Sequence, residues 1–461
     1  MSFHFHVGTP ALKHFRQSSA SVPIGRKSQK MASPFSSISS SSPLRQPLNS
    51  PSLSRLPSVG VAASSGSTEA ATAVPATVSE PRDASLASLE VIGAQRAMLL
   101  RFDSMQRPYR PYPVIGWNRH VETIFAAYFR SFPRVQLRRE CLRARDNGSV
   151  SLDWVLGDEH WLRPDSPVLI LLPGLTGGSQ DTYVRHMLVR AKKKGWRVVV
   201  FNSRGCGNGP VTTPKFYSAS FTDDLYEVVE HVSTCYPKSK IYAIGWSLGA
   251  NILVRYLGEE SHNCPLSGAV SLCNPFNLPV ADEDFRKGFN KIYDKALASS
   301  LRKIFKKHAL LFEGLPDEYN IHMAANARTV REFDEGLTSV SFGFKSVGDY
   351  YLNSSSSNSI LHVRTPLLCI QAANDPIAPA RAIPLEEIKE NPHCLLIITP
   401  KGGHLGWVAG NEAPFGAPWT DSVVMEFLEN LNQEKKPWHR ESSFSEIDDA
   451  QKPISSNSFK R

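Results

Sequence analysis

No stretch of eighteen consecutive apolar residues occurs anywhere in the 461-residue chain, so no bilayer-spanning helix is expected. Cysteines are few, at Cys141, Cys206, Cys235, Cys264, Cys273, Cys369 and Cys394, odd in number and without C-x-x-C spacing. That pattern excludes a disulfide scaffold and a zinc site and suits a reducing compartment. Acidic residues are missing before Glu69, while the first 68 residues hold Lys13, Arg16, Arg26, Lys27, Lys30, Arg45 and Arg55. Setting those seven aside leaves 45 basic against 43 acidic residues, so seven of the nine net positive charges sit in the leader. The remainder is nearly neutral and gives no reason to expect a nucleic-acid partner. Near Met1 there is no apolar segment of the length a secretory signal needs.

What the leader does contain is Ser, Ala and Pro, with Ser36-Ser37-Ile38-Ser39-Ser40-Ser41-Ser42 at its centre. Basic, hydroxylated and acid-poor composition predicts an organelle transit peptide over residues 1–90, disordered in itself. The Ser and Pro content points to a chloroplast; a mitochondrial address or a disordered cytoplasmic tail are the other readings. A folded domain is expected over 91–433 and a disordered polar tail over 434–461.

Within that domain, short apolar runs recur at Val168–Leu172, Arg197–Phe201, Ile241–Ile244, Ala269–Leu272, Leu367–Gln371 and Cys394–Ile398. A strand pair precedes them near Arg138–Cys141 and Ser151–Val155, and helical patterns lie at Val121–Phe129, Thr182–Lys194, Phe221–Tyr236 and Ala250–Leu257. Apolar strands alternating with helices predict an α/β fold with a mostly parallel sheet covered on both faces. Between about 275 and 363 the rhythm changes to helix alone, which suggests a helical lid inserted into the core. Over Asp284–Phe312, Phe285, Phe289, Ile292, Tyr293, Leu297, Leu301, Ile304 and Phe305 recur at helical spacing with lysines between. Such a helix either packs its apolar face inward or makes peripheral contact with an anionic membrane surface.

The chemistry starts at Gly245-Trp246-Ser247-Leu248-Gly249, a G-x-S-x-G segment between a strand and a helix. There it reads as a nucleophile elbow, with glycines leaving room for the strand–helix crossing and the serine raised at a helix N-terminus. A serine hydroxyl needs a positioned base. Of the histidines beyond it, His404 stands in the glycine-flanked loop Pro400–Gly406 after the last strand, whereas His262, His308, His322, His362, His393 and His439 lie in helical, strand-flanking or tail segments. Asp375, at the end of the preceding strand in Asn374-Asp375-Pro376, is the expected acid, and Asp334 in the helical interval its competitor. The backbone amides of Leu248 and of Leu175, in Pro173-Gly174-Leu175-Thr176-Gly177-Gly178-Ser179, are the expected oxyanion donors, with Thr176 the alternative to Leu175. Arg204-Gly205-Cys206-Gly207 lacks the third glycine and helix of a dinucleotide fingerprint, and His160 with Asp165 flank a turn before the core strands. No cofactor and no metal are expected.

Together these pieces resemble the α/β-hydrolase superfamily, and within it the YheT-like branch that includes ABHD-type lipases and plant embryogenesis-associated proteins. The matching segments also include Asn118–Phe125, Asn202–Gly207 and Thr329-Val330-Arg331-Glu332-Phe333-Asp334, so the likeness runs from about residue 110 to 430. Pro173 stands where many relatives have histidine. The resemblance implies a Ser-Asp-His hydrolase of carboxylic esters, acting on a small-molecule or lipid ester such as an acylglycerol or phospholipid. Acyl transfer on the same triad, or a non-catalytic binding protein of this fold, are the alternatives.

Overall fold

In a computed structural model the residues described are 89–433, apart from 317 and 318. The leader assigned to residues 1–90, save its last two residues, and the tail assigned to 434–461 lie outside them.

Nine strands are present among these residues: β1 (Glu90–Ile92), β2 (Leu137–Arg143), β3 (Ser149–Val155), β4 (Val168–Leu172), β5 (Arg197–Asn202), β6 (Ile241–Trp246), β7 (Gly268–Leu272), β8 (Leu367–Ala372) and β9 (Cys394–Thr399). The helices that matter for the site are α1 (Arg119–Tyr128), α2 (Thr182–Lys193), α3 (Asp223–Cys235) and α4 (Leu248–Glu260). They are followed by α5 (Leu278–Phe285), α6 (Asn290–Lys307), α7 (Ile321–Asn326), α8 (Val330–Phe333), α9 (Val347–Ser354), α10 (Leu385–Glu390) and α11 (Thr420–Gln433).

One sheet holds all nine strands in the order β1-β9-β8-β7-β6-β4-β5-β3-β2. From β4 to β9 the pairing is parallel, and antiparallel strands close both edges. Parallel neighbours require crossovers, which the helices supply. Alternate side chains of each central strand then feed two cores. Leu169 and Leu171 pack on one face with Met187, Leu188, Phe427 and Leu428. Val168, Ile170 and Leu172 pack on the other with Leu225, Val228, Leu253 and Leu257. Burying each such side chain contributes about 1.5–3 kcal/mol.

The strand order fixes where a site can form. From β4 the chain steps to β5 on one side, and from β6 it steps to β7 on the other, while β4 and β6 are neighbours. The loops leaving their carboxyl ends therefore diverge and open a crevice, the place where such sheets bind ligands.

Helices α5 to α9 occupy the interval between β7 and β8. Phe305, Phe312 and Phe333 from this interval form a third core with Phe216, from the segment between β5 and α3. The Phe216 and Phe312 rings stack at 5.1 Å. The helical spacing seen over Asp284–Phe312 divides in two, because Gly288 turns the chain at φ 46° and α6 begins at Asn290. Phe285 belongs to α5, Phe289 and Ile292 face solvent, and Tyr293, Leu301 and Phe305 point inward. Lys291, Lys295, Lys303, Lys306 and Lys307 are exposed on the outer side.

Candidate active site

At the end of β6 the chain must turn directly into α4, and Ser247 makes that turn with φ 52° and ψ −118°. A non-glycine residue in such backbone is strained and persists only when its surroundings hold it. Here the Ser247 amide donates to the Leu272 carbonyl at 2.9 Å, and its own carbonyl accepts from Asn251. The flanking glycines are dictated by contact. A Cβ on Gly245 would sit 2.5 Å from the Gly249 carbonyl, and one on Gly249 would overlap the carbonyl oxygens of Leu172 and Pro173.

The segment leaving β4 supplies the second wall. Its amides are accounted for one by one. Gly174 N–H donates to Tyr183 Oη at 3.1 Å and Thr176 N–H to Tyr217 Oη at 2.8 Å. Gly177, Gly178 and Ser179 donate to the Gly174 carbonyl, Asp181 and Asn202. Among the described residues, the Leu175 amide is the one in this segment without a protein acceptor, and the Leu248 amide at the start of α4 also has none. Thr176, the alternative donor, is already engaged. Gly174 faces the serine: a Cβ there would lie 3.2 Å from Ser247 Cβ.

Asp375 follows β8, and His404 follows β9 in a loop with Gly403 at φ 55°. His404 Nδ1 lies 2.9 Å from Asp375 Oδ2 and 3.1 Å from Oδ1, with both side chains buried. Asp375 Oδ1 also accepts the amides of Ile377 and Ala378 at 2.7 and 2.8 Å. The carboxylate is thus fixed from both sides, and with Nδ1 engaged the other imidazole nitrogen, Nε2, is left for a substrate-side proton. Ser247, Leu175, Leu248 and His404 line one cavity of about 420 Å³, walled by Phe285, Leu297, Leu301, Ile304 and Phe333. Asp334 lines the same cavity but bonds Tyr351, away from the imidazole.

Several residues that hold this arrangement carried no role in the sequence reading. The His404 amide donates to Thr123 Oγ1 at 2.9 Å, and the Val408 amide to Glu122 Oε1 at 2.9 Å. Arg130 donates to the carbonyls of Leu405, at 3.1 Å, and Gly406. All three come from α1 or its end, inside or just beyond the Asn118–Phe125 segment whose likeness was visible but whose purpose was not. Burial pushes Glu122 up to about 7. Cys273 is the fourth. Its Sγ accepts the Leu405 amide at 3.3 Å, and burial with neighbouring Asp375 pushes the thiol well above its ordinary value. Its sulfur, an Asp375 oxygen and a His404 nitrogen lie within 4.8 Å of one another, a donor set of the kind a soft divalent ion uses. In this structure those atoms serve each other.

The two patterns set aside earlier take structural places. Arg204 is buried between Asp224 and Asp146, bracing the turn after β5. Asp165 pairs with Arg163 at the surface.

Residues 167–408 match the family model described as the alpha/beta hydrolase fold. The chain is 65% identical to the embryogenesis-associated protein EMB8 of Picea glauca over 374 residues, covering 79% of this chain and 80% of that one. It is 34% identical to phospholipase ABHD3 of Homo sapiens, covering 69% and 78% of the two chains. With a monoacylglycerol lipase of Saccharomyces cerevisiae the identity is 35%, covering 67% and 71%.

Proposed function

The chain belongs to the α/β-hydrolase fold family and is a carboxylic ester hydrolase; on that premise we propose that it cleaves lipid-type esters, acylglycerols or phospholipids, through a Ser247–His404–Asp375 triad. The observation that carries this reading is the buried Asp375–His404 pair opening on the cavity that Ser247 lines. Ser247 Oγ attacks the ester carbonyl while His404 takes its proton. The Leu248 and Leu175 amides receive the oxyanion, and Asp375 stabilises the imidazolium. The alcohol leaves with the proton from His404, and water, activated by the same base, releases the acid from the acyl-enzyme. The apolar cavity wall supports an acyl chain as the occupant.

A fluorophosphonate ester probe tests the assignment. Wild type is expected to label and to hydrolyse p-nitrophenyl esters, and Ser247→Ala to do neither, with turnover lower by ~10⁴-fold or more. A wild-type protein that does not label would favour a binding role for the fold. We further propose that residues 1–90 direct the chain to the chloroplast, on their composition alone. A fluorescent fusion of that segment that stays diffuse in the cytoplasm overturns the localisation.

A further inference from the structure

Cys273 stands where β7 ends, one residue after Leu272, whose carbonyl accepts the Ser247 amide. Its backbone is left-handed, at φ 50°, which a residue other than glycine keeps only when its neighbours hold it. They do so on both sides. The Cys273 amide donates to the Ile370 carbonyl of β8 at 3.1 Å, and the Asn274 amide to Gln371 Oε1 at 2.8 Å. The backbone pinned in this way puts the sulfur beside Asp375 and His404. Cys273 is fully buried and does not line the cavity, so it touches no substrate.

The thiol has two partners. Its sulfur accepts the amide of Leu405, the residue after His404, at 3.3 Å, and the thiol hydrogen-bonds the Asp375 carboxylate. A carboxylate has no proton to give, so the S–H is the donor. Leu405 is itself left-handed, at φ 60°, and Arg130 donates to its carbonyl at 3.1 Å. Two residues whose backbone needs outside support thus support each other. Burial and the nearby Asp375 push the thiol well above its ordinary value, so it stays a neutral donor over the pH range in which a histidine base works.

A neutral partner suits the chemistry. In the acyl-transfer steps Asp375 must stay an anion facing Nδ1, because its charge stabilises the imidazolium. A lysine or arginine in the place of Cys273 would orient the carboxylate but neutralise it. A thiol is a weak donor and orients it while leaving the charge to the imidazole. We propose that Cys273 is a positioning residue of the acid–base pair, setting the Asp375 carboxylate through its S–H and the His404 loop through its sulfur, so that Nδ1 and Oδ2 are aligned before substrate arrives. The inference rests on the hydrolase reading of Ser247.

Cys273→Ala and Cys273→Ser test it with p-nitrophenyl decanoate as substrate. Both lose the bulk of the sulfur and only serine keeps a donor and an acceptor, so the difference between them reads the hydrogen bonds and not the packing. Alanine is expected to lower kcat by ~10-fold, the scale of a lost buried hydrogen bond, with KM within about twofold of wild type. Serine should recover most of that loss. The low-pH limb of kcat/KM should move to higher pH in the alanine variant, because a carboxylate with one donor fewer holds a proton on the imidazole more strongly. The other charged or titratable groups around the pair and its loop are Glu122 and Arg130 from α1 and its end, Tyr293 of α6 and Lys401. They are the same in every variant, so the displacement reports on Cys273. Should alanine not fold, Cys273→Gly, which adopts φ 50° without strain, takes its place in the comparison. If the variants with and without a hydroxyl lose the same activity and the limb stays where it is, Cys273 only fills space and the proposal fails. Wild-type kinetics without any donor at 273 also overturn it. A wild type that cleaves no ester and takes no fluorophosphonate label removes the premise instead, and the proposal with it.

Discussion

Glu122 holds the Val408 amide beneath the histidine loop from a position with no exposure to solvent. Its carboxyl is raised from an ordinary 4.5 to about 7 because burial opposes the charged form. Below about pH 4.5 the group is neutral whether the chain is folded or not. As pH rises through about 7 the fold must carry a buried charge, and the stability present at low pH is lost, by about 3 kcal/mol. Glu122→Gln should therefore melt at a temperature that falls less between pH 5 and pH 8 than wild type does; parallel curves would sink this account. The same residue shows what sequence can and cannot carry. Ser247, Asp375 and His404 stood out as candidates because each follows an apolar strand and lies within two residues of glycine or proline. Glu122, Thr123 and Arg130 meet the His404 loop across 275 to 286 residues of chain, and no local pattern records such a pairing.

At the scale of elements, α4 lies so close to the end of β4 that Gly249 has carbonyl oxygens where a side chain would be. Gly249→Ala must push α4 off the sheet, tilting the Ser247 turn and the Leu248 amide together. We expect a loss of about 1–3 kcal/mol, the usual cost of overpacking, and a larger loss of probe labelling than of fold. A variant that is less stable yet labels at the wild-type rate would show that the elbow does not depend on this contact. The six parallel strands were readable because burial on both faces makes each a continuous apolar run. By contrast, β1 is three residues long, too short for any periodicity, and was missed. The division of the Asp284–Phe312 pattern was hidden by Gly288, since a left-handed turn leaves the apolar count on either side intact. Helix α1 does the most joining: His120 Nδ1 lies 3.0 Å from the Tyr293 hydroxyl of α6, while Thr123 holds the His404 loop.

For the molecule as a whole, the charge of +9 dissolves into a basic leader and a nearly neutral body whose site sits where the sheet changes direction. If residues 1–88 carry only an address, a chain beginning at residue 89 should hydrolyse esters within about twofold of the full chain, whereas one beginning at residue 131, without α1 and Arg130, should not label. Equal activity of the two shortened chains would show that α1 is dispensable. That dependence has a consequence in time. Helix α1 leaves the ribosome about 280 residues before the loop it steadies, which at roughly 5–20 residues per second is a wait of about 15–55 s. Ser247 is added partway through that interval, ahead of His404, the base proposed for it. The candidate site therefore cannot close until His404 and the loop around it have been added.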